Sequence, residues 1–128
     1  MWTLLFACQP DPPSLLVDFA SDWAAVFSIE DADDRAGSIL LDWDPELEEI
    51  SGEVHIDDPD ETRVYAVLDS QEVPPLGVAL QLSETAGVRQ MFIELAVPVE
   101  DAAFGGWRTQ WGCAGQVCGE TGGLDLTR

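Results

Sequence analysis

The chain has 128 residues, of which 25 are acidic and five basic, giving a formal net charge of −20 at neutral pH. That length suits one domain around a single core, and 46% hydrophobic content is too apolar for a disordered acidic tail. All five cations are arginines (Arg35, Arg63, Arg89, Arg108 and Arg128), which excludes nucleic-acid binding by phosphate neutralisation and polybasic attraction to anionic lipid.

The first eight residues, Met1-Trp2-Thr3-Leu4-Leu5-Phe6-Ala7-Cys8, are almost wholly apolar, and the polar, proline-rich Gln9–Ser14 follows. This organisation predicts a signal-like segment over 1–8, a tether over 9–14 and one β domain over 15–128. Leu5-Phe6-Ala7-Cys8 resembles the lipobox of bacterial lipoproteins in its leucine, its small residue before the cysteine, and the cysteine itself. The resemblance implies that Cys8 is lipid-modified and becomes the new amino terminus. The expected partner is then a membrane of the bacterial cell envelope, reached through acyl chains; without them the chain is secreted. The same residues also read as an apolar first strand with a buried thiol.

Beyond the tether the pattern has period two, the signature of strands with one buried face. Trp23, Ala25, Phe27 and Ile29 alternate first, ending at Glu30-Asp31-Ala32-Asp33-Asp34. Ile39, Leu41 and Trp43 follow, then Ile50, Val54 and Ile56, closed by the turn Asp57-Asp58-Pro59-Asp60. Thr62–Leu68 and Leu76–Ser83 are further strands, the latter with Val78, Leu80 and Leu82 inward. Val88–Val97 carries Met91, Ile93, Leu95 and Val97 on one face. Trp107, Thr109 and Trp111 share a face of a later strand, and Leu124 and Leu126 belong to the last. Helical turns fit only at Asp44–Glu49 and Glu100–Phe104. The prediction is an all-β antiparallel sandwich or barrel of about seven to nine strands.

With Cys8 assigned to lipid, Cys113 and Cys118 remain as an even pair in the glycine-rich run Trp111-Gly112-Cys113-Ala114-Gly115-Gln116-Val117-Cys118-Gly119. A disulfide there implies an oxidising compartment. The alternative, half of a zinc site, stays one ligand short even with His55, the single histidine.

Three acidic clusters fall at strand ends, where converging carboxylates suit calcium, a hard cation taking 6–8 oxygens. The candidate ligands are Asp31, Asp33 and Asp34 together with Asp57, Asp58 and Asp60. No other cofactor is implied. Asp42, Asp44, Glu46, Glu48 and Glu53 match the acid spacing of an EF-hand loop, but Leu47 stands where that loop needs glycine. His55 lies on the polar face with Glu53 and Asp57, and no nucleophile elbow, phosphate loop or zinc-protease motif accompanies it. Trp107 and Trp111 flank Arg108-Thr109-Gln110 as either core or an aromatic binding face.

The function that these residues suggest is a non-catalytic envelope or secreted module that binds or scaffolds. A calcium-dependent or carbohydrate-binding β domain is the alternative, and a small secreted hydrolase is a third reading.

Overall fold

Alternation of large apolar and polar residues is carried through eight strands, and the ladder of each closes on the next. The computed structural model describes residues 15–58, 60–73 and 77–128. A 3-10 helix, Leu15–Phe19, is followed by β1 (Asp22–Phe27), β2 (Arg35–Asp44), β3 (Glu49–Asp57) and β4 (Thr62–Glu72). Then come β5 (Gly77–Glu84), β6 (Gln90–Ala96), β7 (Ala102–Cys113) and β8 (Gln116–Thr127). Every neighbouring pair is antiparallel, and β8 returns to β1, so the sheet is a closed up-and-down barrel. Closure leaves no unpaired strand edge.

The inward positions are those the alternation marked. Trp23, Ala25 and Phe27, then Ile39 and Leu41, then Val78, Leu80 and Leu82, then Met91, Ile93 and Leu95 are all buried in one core. Eight strands enclose a lumen just wide enough for side chains to fill, and here Tyr65, Trp107, Leu124 and Leu126 complete the filling. The Trp107 ring meets Phe27 edge-on, with centroids 5.4 Å apart. Outward positions on β3 carry charge at Glu49, Glu53 and Asp57, while Val26, Leu40 and Phe104 are exposed on other strands. Among the described residues no helix is long and apolar enough to cross a membrane.

The up-and-down path sorts the connections between two ends. One end holds the 3-10 helix, whose Leu16 and Phe19 join the core, and the carboxyl-terminal Arg128. Arg128 lies over the Trp23 ring, 4.3 Å from its centroid, and donates to the carbonyls of Asp18 and Glu100. Trp23 Nε1 in turn donates to the Phe19 carbonyl at 2.9 Å. The far end holds the β1–β2, β3–β4, β5–β6 and β7–β8 connections.

The β8–β1 seam is finished by Ser28. Its amide and hydroxyl donate to the Gly123 carbonyl, its hydroxyl accepts from the Gly123 amide, and its carbonyl accepts from Trp107 Nε1 at 3.1 Å. Glycine is required beside it: a Cβ on Gly122 would lie 1.7 Å from the Ser28 carbonyl oxygen.

Three expectations are corrected. Leu15–Phe19 forms a helix within what read as a β domain, because Leu16 and Phe19, three apart, fit one face of a 3-10 turn. Glu100–Phe104 holds no helical turn; β7 begins at Ala102, which pairs with Thr127. β1 ends at Phe27 rather than Ile29, since Ser28 leaves the β2 ladder to bond Gly123. Asp44–Glu49 is a turn, with Glu48 at φ 54°.

Candidate functional site

Core side chains fill the lumen, and among the described residues two concave surfaces open instead on the outer wall and at the far end. The wall groove, of about 470 Å³, follows from strand register. One outward row runs Asp69–Gln81–Phe92–Arg108–Thr121, each residue paired with the next across β4 to β8. The adjacent row runs Gln71–Ala79–Glu94–Gly106. Ala79 and Gly106 have little or no side chain, so the wall sinks between them and the larger residues beside it. A register shift between Val67 and Asp69 inserts Leu68. Such a bulge re-aims the residues after it, and here it turns Asp69 and Gln71 to the outer face.

Arg108 distinguishes this groove electrostatically. The other four arginines have carboxylate partners within 4 Å, whereas Arg108 has no ion pair among the described residues. Its guanidinium lies over the Phe92 ring, 4.3 Å from the centroid, a cation–π contact that holds a cation while leaving its N–H groups free. Glu94, Asp69, Gln71 and Gln81 supply acceptors and amide donors around it, all of them exposed.

The far end carries a second recess, of about 420 Å³, lined by three arginines and their acids. Asp58 accepts from Arg35 Nη1 and Arg63 Nε, each at 2.6 Å. Glu120 takes both Arg35 terminal nitrogens, at 3.1 and 2.9 Å, and Glu84 takes Arg63 Nη1 at 2.9 Å. Burial opposes the Arg35 cation, but its bonds to Glu120 and Asp58 prevail and raise its pKa above the ordinary arginine value. Arg63 is raised likewise, with Glu84, Asp58 and Glu61 outweighing burial. Beneath them Tyr65, 1% exposed, has its phenol pushed up to about 12, first by burial and then by the Glu84 charge. Five acids, Asp58, Asp60, Glu61, Glu84 and Glu120, gather about three arginines here, so the recess is a dense, net-acidic ion network at the far end of the barrel.

Cys8 lies outside the described residues. Cys113 and Cys118 stand at disulfide distance across the β7–β8 hairpin, with Cα atoms 5.9 Å apart. Of the acids considered for calcium, Asp58 is bound to two guanidiniums and Asp57 accepts from the Thr62 hydroxyl. Asp31, Asp33, Asp34 and Asp60 are exposed at turns. No three His, Cys, Asp or Glu side chains gather into a metal-holding group among the described residues.

The paired tryptophan face is corrected. Trp107 is 3% exposed and points into the lumen, because β7 alternates Ala103, Trp107 and Thr109 inward. Trp111 shares that parity but lies beyond the last β6 pair, Gln90↔Gln110, where Arg89 covers it at 3.7 Å from the ring centroid. His55 sits on the outer face of β3 with Glu53 2.9 Å away.

Sequence reasoning missed the groove, and its only local trace was the Phe92 and Arg108 side chains at outward positions. Comparison with family models, with curated proteins and with solved structures finds no match to this chain.

Proposed function

We propose that this chain is a non-catalytic binding module of the bacterial cell envelope, tethered by lipid on Cys8, and that it engages its ligand through the groove on β4–β8. The observation that carries this reading is the cross-strand row that includes Arg108, an arginine without an ion pair among the described residues, in a chain of net charge −20. A cation left uncommitted among so many carboxylates is placed for a ligand rather than for the fold. The filled lumen directs attention to the outer wall, and a groove of this volume lies within the range of small-ligand sites, about 300–1,000 Å³.

The non-catalytic part is supported by the setting of His55, which is on β3, paired with Glu53, and outside the groove. The tether rests on Leu5-Phe6-Ala7-Cys8, and a disulfide at Cys113–Cys118 agrees with an oxidising compartment. One acyl chain gives only marginal attachment, so stable anchoring through Cys8 requires more than one.

The test is co-sedimentation of the full chain carrying Cys8→Ser, which acyl chains cannot retain, with bacterial envelope preparations, comparing it with the same chain carrying in addition Phe92→Ala and Arg108→Ala. Retention lost in the variant supports the groove as the binding face; equal retention refutes it. Expression with the native upstream region should give a lipid-sized mass increment on an amino-terminal Cys8, and an intact Met1 terminus would refute the tether.

A further inference from the structure

We infer that the ligand of the β4–β8 groove is a neutral, hydroxyl-rich oligosaccharide, an assignment that rests on the groove being the binding face. Along the row Asp69–Gln81–Phe92–Arg108–Thr121, acceptor, amide, ring, guanidinium and hydroxyl alternate across adjacent strands. A sugar hydroxyl both donates and accepts, so vicinal hydroxyls answer such a mixed row, where a ligand with a single type of group would satisfy only half of it.

Charge removes the competitors. A net charge of −20 repels anionic ligands at long range, and Glu94 and Asp69 oppose them at short range. A cationic ligand meets Arg108 within the row. A neutral polyol pays neither cost, and its hydroxyls meet Arg108 N–H groups that are already held over Phe92.

Topology removes an extended peptide. Peptides that add to a sheet need a free edge for their main-chain hydrogen bonds, and this barrel is closed. Recognition on the wall falls to side chains alone, and the groove spans five strands, room for a chain of several sugar units rather than one. Ala79 and Gly106, with little or no side chain, leave room for a ring to lie against the wall between the larger residues.

The experiment is amide NMR of the full chain titrated separately with maltohexaose, cellohexaose, laminarihexaose, mannohexaose and chitohexaose. Hexagalacturonate and a chitosan hexamer serve as anionic and cationic comparators. The expected result is saturable shifts at Gln81, Phe92, Arg108 and Thr121 with at least one neutral hexamer. Arg108→Ala and Gln81→Ala, both exposed, should each weaken that binding roughly tenfold, the loss of one or two hydrogen bonds, without disturbing core resonances. If no neutral hexamer moves these amides, or only a charged one does, the ligand class is wrong. Groove-dependent retention on envelope preparations would then still uphold the binding face. New reducing ends appearing during titration would uphold the ligand class and overturn the non-catalytic reading.

Discussion

Replacing Asp58 with asparagine tests whether the far-end ion network stabilises the barrel or merely decorates it. The Asp58 side chain is 11% exposed and is shared by Arg35 and Arg63, each bonded at 2.6 Å. Asn keeps one acceptor oxygen and turns an NH₂ group toward a guanidinium. Net contributions of hydrogen bonds to charged groups run at about 1.5–3 kcal/mol each. Arg35 retains Glu120 and Arg63 retains Glu84 and Glu61, so the lower value per bond applies and the loss is about 3 kcal/mol. For a chain of this size that lowers the melting temperature by roughly 10 °C. Asp33→Asn removes the same charge at an exposed turn outside the recess and should leave stability unchanged or raise it slightly, since less self-repulsion remains. Thermal unfolding of both variants by circular dichroism at low and high salt decides the matter. Equal melting temperatures for the two would refute the network as a source of stability.

Three further outcomes are expected. Tyr65 has a folded-state pKa of about 12 against 10.0 for the ordinary phenol, so the stabilisation is complete below pH 10 and lost as pH rises toward 12, by roughly 2–3 kcal/mol in all. Urea midpoints from pH 9 to 12 should show this decline in the native chain and not in Tyr65→Phe; parallel curves would contradict it. Thr109 is 5% exposed and its hydroxyl has no hydrogen-bond partner among the described residues. Thr109→Val should therefore stabilise by about 1 kcal/mol in urea unfolding, and a loss of stability would show that the hydroxyl is satisfied. Ala114 holds φ 49° beside Gly115 at φ 78°, so Ala114→Asn should gain about 0.5–1 kcal/mol by suiting a two-residue hairpin turn. An unchanged melting temperature would sink that expectation.

Much of the barrel was legible because period two is set by the pleat itself. Trp23, Ala25 and Phe27, and likewise Met91, Ile93 and Leu95, declared their inward face from spacing alone. Closure was not legible. It depends on Gly122 and Gly123 meeting Ser28, a contact between positions far apart in sequence and without hydrophobic pattern. The 3-10 helix was hidden because five residues are too few for periodicity to speak. Trp107 and Trp111 share a parity, and only the length of β6 decides that the first lies within the barrel and the second beyond it. The groove escaped because its members come from five strands, and what creates it is missing bulk at Ala79 and Gly106. The acidic turns likewise gave no sign that Asp58 faces Arg35 and Arg63.

The ladder between β1 and β8 has mechanical meaning. It holds four residue pairs, against eight between β2 and β3 and twelve between β7 and β8. It is the shortest joint of the ring, one pair shorter than that between β3 and β4, and Ser28 adds bonds to Gly123 at one of its ends. Arg128 straddles that joint, gripping Asp18 from the last position of the chain while lying over Trp23. Any pull arriving through the amino-terminal segment reaches the 3-10 helix and β1 first. It is therefore shared between this clasp and the β1–β2 ladder, whose pairs begin at Asp22, and reaches Ser28, at the far end of β1, last.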